Sequence, residues 1–166
     1  YGDHRDLHSF PTRRSSDLLD DLIKNDFLKD KNYDFIHIDS PDWRGIDVAL
    51  LYKKSAFNPV EYKVYELFAF NEKGYRIRTR DQLLVSGYLG DEFIHIIINH
   101  WPSQRGGQQK TAYLRKKSAE LNLKIIDEIR DSNPNAKIIT LGDFNDNPTE
   151  NRYKKPLRRT KAILNI

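Results

Sequence analysis

Two apolar runs, QLLVSGYL (82–89) and EFIHIIINH (92–100), stand on either side of Gly90-Asp91. Strand-forming runs joined by a two-residue turn of this type pair as a β-hairpin. Other segments read in the same way. YDFIHIDS (33–40) alternates Phe35, His37 and Asp39 against Asp34, Ile36 and Ile38, the period of a strand. DVALLYKKS (47–55) is a second strand, apolar enough to be buried on both faces, and FNPVEYKVYELFAF (57–70) is a third. AKIITLGDFN (136–145) is a further strand that ends in polar residues. LLDDLIKNDFLKD (18–30) spaces Leu18/Leu19, Leu22, Ile23, Phe27 and Leu28 as the end of an amphipathic helix. A long helix is predicted from Gln108 to about Ser132, with Ala112, Ala119, Leu121, Leu123, Ile125, Ile126 and Ile129 as its apolar side. Ser132-Asn133-Pro134-Asn135 stops it. Most strands precede the long helix, so a regular βαβα array is excluded. The expected class is α/β, with mainly antiparallel strands packed against helices.

The front of the chain obeys no such pattern. YGDHRDLHSFPTRRSSDL (1–18) has no apolar period, and its arginines could serve a flexible nucleic-acid-binding arm. Read back into codons, however, it resembles base for base a widely used short-read sequencing adapter. The expectation is therefore a non-native segment at 1–18 and one partial domain at 19–166, large enough for a core. The absence of methionine agrees with a missing natural start.

Charge points to no polyanionic partner. The chain carries +4 overall; residues 1–18 balance three Asp against three Arg, and residues 152–166 hold six basic residues and no acid, which leaves 19–151 at −2. There is no cysteine, which excludes disulfides and thiolate metal sites in this stretch. No apolar run reaches the length of a membrane span.

The polar residues of interest lie where apolar strands give out, a common mounting for reactive side chains. In LGDFNDNP (141–148), Gly142 permits a turn or a close approach, and Asp143 and Asn145 share one side of the strand. A carboxylate beside an amide suits a metal-bound water and a phosphoryl oxygen; an Asx-rich turn closed by Pro148 is the plainer reading. An EF-hand is excluded, because Pro148 stands where glycine is required and Lys154 where the bidentate Glu belongs. In INHWPSQRGG (98–107), His100 could act as acid, base or phosphate donor, and Asn99, Ser103 and Arg105 add polar capacity. A phosphate loop is rejected in GGQQKT (106–111), since Gln109 replaces the glycine needed before Lys110. Asp47 opens an apolar strand and needs a partner, for which Arg44 is the candidate. Arg80-Asp81 reads as a salt-bridged start of the hairpin or as a phosphate-contacting arginine.

The order RGIDVALLY, TRDQLLVSG, INHWPSQRGG, GDFNDNP resembles the endonuclease/exonuclease/phosphatase superfamily, the deoxyribonuclease-like metal-dependent phosphoesterases, over roughly residues 33–149. The resemblance implies part of a four-layer α/β/β/α sandwich with mainly antiparallel sheets, truncated at both ends. It implies phosphoester hydrolysis with Mg²⁺ or Mn²⁺. On it, His100 contacts the scissile phosphate, Asp143 orients or deprotonates the attacking water, and Asn145 fixes the phosphate and supports Asp143, with Asp143 and Asn145 at the metal. Arg80, Asn99, Ser103 and Asp47 are expected at the substrate. The family's earlier Asn and metal-binding Glu, and its later Asp-His pair, have no counterpart here, so this stretch alone is expected to be inactive. The implied partner is a phosphoester, nucleic acid being one option, and a monomer is expected. The alternative is a non-catalytic binding module of the same fold. A two-metal calcineurin-like enzyme is disfavoured, because His37, His95 and His100 are the only histidines after residue 18 and Asn99 follows Ile98 rather than Gly.

Overall fold

The computed structural model describes residues 15–105, 107–146 and 163–165. Helix α1 (Ser15–Lys24) leads into strands β1 (Tyr33–Ile38), β2 (Val48–Lys53), β3 (Phe57–Tyr65), β4 (Gln82–Leu89) and β5 (Glu92–His100). Helix α2 (Gln108–Ser132) then crosses to β6 (Lys137–Asp143), and β7 (Ile163–Asn165) closes the order. Strands β1 and β2 form an antiparallel pair, and the second sheet runs β3-β4-β5-β6-β7. The pairs β3–β4 and β4–β5 are antiparallel, whereas β5–β6 and β6–β7 are parallel. The protein is thus an α/β sandwich of two sheets with helices, as its motif order implies.

Two apolar layers hold it together. Ile38, Val48 and Leu50 of the small sheet meet Leu83, Val85, Ile94, Ile96 and Ile98 of the large one. On the other face, Leu84, Ile97 and Ile138 pack under Ile125, Ile126 and Ile129 of α2. Alternation along β4 and β5 therefore feeds both layers, which is why EFIHIIINH is nearly continuous in apolar residues. The hairpin turns at Gly90, whose φ of +60° suits glycine, with Leu89 opposite Glu92.

Three expectations are corrected. Strand β2 is not buried on both faces: Leu51 is 38% exposed, because alternation turns it away from the apolar layer that takes Val48 and Leu50. Strand β3 ends at Tyr65, and residues 66–81 form an excursion that carries the isolated Phe70–Arg76 bridge. Helix α1 ends at Lys24, so Phe27 and Leu28 lie beyond it rather than on its apolar side, and Phe27 is 82% exposed; Asp17 sits in its first turn, which favours an acid there. Residues 1–14 lie outside the described residues, as does Pro148.

Candidate active site

The parallel register of β5 and β6 sets Asn99 opposite Gly142 and His100 opposite Asp143. The approach is close. Gly142 has φ +124°, and a Cβ built on it would lie 1.9 Å from the Asn99 carbonyl oxygen, so only glycine fits. The pairing continues past the strand, as Trp101 N–H donates to Asp143 O at 2.8 Å. Asp143 then accepts the Asn145 N–H on Oδ1 at 2.8 Å, and Asn145 Nδ2 donates to Trp101 O at 2.8 Å. Asn145 adopts φ +49°, a conformation its short amide tolerates. The structure thus brings His100, Asp143 and Asn145 to adjacent strand ends. Asp143 Oδ2 and Asn145 Oδ1 have no protein partner among the described residues.

Arg80 braces this corner from below. Its side chain is 2% exposed. It donates Nε to His100 O at 3.0 Å, Nη2 to Trp101 O at 2.7 Å and Nη1 to Asp42 Oδ2 at 2.8 Å. The guanidinium thus meets protein acceptors, and its ion-pair partner is Asp42 rather than the adjacent Asp81. Arg44 also pairs with Asp42, through Nε at 3.0 Å and Nη2 at 2.9 Å, rather than with Asp47. Burial pushes the Asp42 carboxyl up, but the two guanidiniums outweigh it and hold it well below the ordinary range. Asp81 is buried, accepts the Leu67 N–H at 3.1 Å, and has its pKa raised by burial.

Asp47 takes the Ser40 N–H on Oδ1 at 2.8 Å and faces His37 Nε2 at 3.3 Å. With Asp39, these two offer ligand atoms all within 4.8 Å of one another, a second group with metal-binding donors. Ser103 is half-buried in the loop beyond Trp101.

Asn99 lies on the helix side of β5 with Ile97, because alternation turns it away from His100. It is 2% exposed, accepts Trp101 Nε1 at 2.9 Å and Asn122 Nδ2 at 3.1 Å, and donates to Thr140 Oγ1 at 2.9 Å. Asn122 also reaches Thr140 at 3.0 Å and Gln82 at 3.3 Å, and Gln82 donates to Ser118 O at 2.7 Å. Further along, Arg115 of α2 holds Asp146 at 2.7 Å, both side chains at most 2% exposed. Trp101 stacks edge-on against Phe144 with centroids 4.9 Å apart. These contacts seat both strand-end loops on the helix. Asp42, Trp101, Gln82, Thr140 and the α2 residues were not singled out from the sequence. Arg115, Ser118 and Asn122 recur at helical spacing, and that polar stripe was a readable signal.

His100 is half-buried. Burial first, and then the Arg80 charge, push its pKa below the ordinary histidine value, while Asp143 pulls it up. The net direction favours a neutral imidazole near pH 7, with one N–H to donate and one lone pair to accept.

Comparisons with known proteins agree on the two-sheet sandwich that carries this corner. The model of the Endonuclease/Exonuclease/phosphatase family matches residues 13–164, and the chain belongs to that family. None of the curated proteins matches it. Among solved structures, the human Nocturnin catalytic domain with bound sulfate anion is similar at 20% identity and TM-score 0.57, over 77% of this chain and 48% of that one. Truncated Caenorhabditis elegans TDP2 is similar at 22% identity and TM-score 0.55, over 77% and 46%. D. rerio TDP2 complexed with single strand DNA product is similar at 17% identity and TM-score 0.53, over 78% and 46%. The chain therefore spans about half the length of these structures. No described helix is long and apolar enough to cross a membrane.

Proposed function

We propose that the chain carries the phosphate-handling corner of a divalent-metal-dependent phosphoester hydrolase, a phosphodiesterase/nuclease or a phosphatase. The observation that carries this reading is the pairing of His100 with Asp143 across β5 and β6, with Asn145 tied to both strand ends. Carboxylate and amide oxygens without protein partners suit a hard cation such as Mg²⁺ or Mn²⁺. Asp143 Oδ2 and Asn145 Oδ1 would hold it, and when bound it would polarise a phosphoryl oxygen. His100, kept neutral, donates its ring N–H to a phosphate oxygen. Asp143 orients the attacking water and accepts its proton. Asn145 holds its oxygen in place through the Nδ2 bond to Trp101 O. Arg80 and Asn99 act by fixing the backbone and Trp101, while Asp47 and Ser103 stay candidates for substrate contact.

Two oxygen donors hold Mg²⁺ poorly against water, so turnover by this chain alone should lie close to background. The test is a titration with bis-p-nitrophenyl phosphate, with and without Mg²⁺, followed at the His100 ring by NMR. Metal-strengthened binding that is lost in Asp143→Ala supports the reading. Binding indifferent to both metal and Asp143 would instead identify a non-catalytic binding module. Metal-dependent turnover lost in Asp143→Ala would keep the site and overturn the expected inactivity.

A further inference from the structure

The excursion 66–81 leaves a cleft of about 330 Å³ against the end of β1, lined by Asp39, Ser40, Pro41, Glu66, Arg76 and Asp81. The most buried of these is Asp81, at 4% exposure. Its Oδ1 accepts the Leu67 N–H at 3.1 Å. Its Oδ2 has no protein partner among the described residues, yet it is not sealed from solvent. A buried carboxylate with one oxygen unused is unfavourable to the fold, and it is the kind of group that a ligand donor completes. Burial pushes the Asp81 pKa up more than the Leu67 bond pulls it down; Glu66 adds to the rise and Arg76 opposes it. Ser40 sets its hydroxyl beside this group, accepting the Asp81 N–H on Oγ at 3.4 Å. At the rim, Glu66 is held by Arg76 through a 2.9 Å ion pair, and Arg76 lies over the Phe68 ring, 4.5 Å from its centroid. The one cation lining the cleft is thus matched by Glu66, which leaves the exposed Asp39 and the buried Asp81 without a compensating charge there. Asp39, Glu66 and Asp81 do not converge on one point as the ligands of an ion would: among the described residues, the group whose donor atoms do so is His37, Asp39 and Asp47. A bare ion cannot bridge the cleft's carboxylates, but an extended organic cation can.

We propose that this cleft binds a small aliphatic diamine, with one ammonium on Asp81 Oδ2 and the other on Asp39 at the rim. The site is separate from the His100 corner and does not rest on the phosphoesterase reading. An ammonium carries three donors and no acceptor, so one group can meet Asp81 Oδ2 and Ser40 Oγ together. Pro41 offers an apolar wall to the methylenes between the two charges. The experiment titrates putrescine into the isotopically labelled full chain near neutral pH and follows the amide signals by NMR. EDTA is present, so that no metal occupies Asp39 through the His37 group. Butanediol is the uncharged control and butylamine the control with one ammonium. Putrescine should bind and shift the Ser40, Leu67 and Asp81 amides, and butanediol should do neither. Asp81→Asn keeps an oxygen for the Leu67 N–H and removes the charge. It should weaken putrescine about 10- to 150-fold, the range for a hydrogen bond to a charged group, without lowering the melting temperature. Asp39→Asn should bring putrescine down to the affinity of butylamine. Failure of putrescine to bind, or equal binding of butanediol, overturns the proposal. So does an affinity that Asp81→Asn leaves unchanged, which would mean attraction to surface acids alone. If Asp81→Asn melts early, the unaltered chain decides: shifts centred on Ser40, Leu67 and Asp81 uphold the site, and shifts confined to other residues overturn it.

Discussion

His100 and Asp143 occupy the last paired position of two parallel strands, opposite each other across β5 and β6. Their separation is set by the backbone ladder, and the ladder depends on the one preceding pair, Asn99 with Gly142, being able to close. Side chains mounted in this way need little further organisation to act on one group.

Gly142→Ala should therefore disturb the site and the fold together. The left-handed φ alone costs an alanine about 1–2 kcal/mol, and the 1.9 Å approach to Asn99 O requires backbone to move as well. A thermal melt should show a loss of several degrees, and the His100 ring signals should shift. An unchanged melt and spectrum would mean that the strands do not approach as described.

The Asp42–Arg80 pair should behave as a coupled, buried unit. Removing one partner of such a pair costs roughly 3–5 kcal/mol, so Asp42→Asn should lower the melting temperature by roughly 10 °C. The double variant Asp42→Asn/Arg80→Met should recover part of that loss, whereas strict additivity in the four-member cycle would show that the two do not interact.

His100 should titrate below about pH 6.5, the ordinary histidine value. Because the folded pKa is depressed, the folded chain binds fewer protons, so the contribution of His100 to stability is present above the unfolded value and is lost as pH falls from there through the lower folded value. Asp143→Asn should move the midpoint lower, since Asp143 raises it; Arg80→Met should move it up. A ring titration by NMR that gave the reverse order would break this account of the site's electrostatics.

Much of this was legible in the sequence, and the reasons for the rest are physical. Apolar periodicity gave β1, β4, β5 and β6, and α2 runs from Gln108 to Ser132 as its periodicity and its Asn-Pro stop predict. Strand ends then located His100, Asp143 and Asn145. Partner choice was not legible. Arg44 and Arg80 each had an acidic neighbour close by in sequence, Asp47 and Asp81, yet both pair with Asp42, which for Arg80 lies 38 residues away. Asn99 looked like a substrate ligand because it adjoins His100, but adjacent residues on a strand face opposite ways. The polar face of α2 is readable only as the helical spacing of Arg115, Ser118 and Asn122, which the apolar stripe does not reveal. Arg115, Ser118 and Asn122 are each at most 1% exposed, so this end of the helix meets the sheet through hydrogen bonds.

Residues 1–18 should contribute little to the fold. The described part, the first turn of α1, is exposed at Asp17 and Leu18. Deleting residues 1–18 should leave the melting temperature within experimental error, and a large loss would mean that the segment packs as part of the domain.

The most direct test of the central claim is where a divalent cation goes. Mn²⁺ titrated into the isotopically labelled chain broadens NMR signals near its binding site. The proposed chemistry predicts weak binding, with broadening at Asp143, Asn145 and the His100 ring that disappears in Asp143→Ala. Broadening that centres on His37, Asp39 and Asp47 and is indifferent to Asp143→Ala would contradict it.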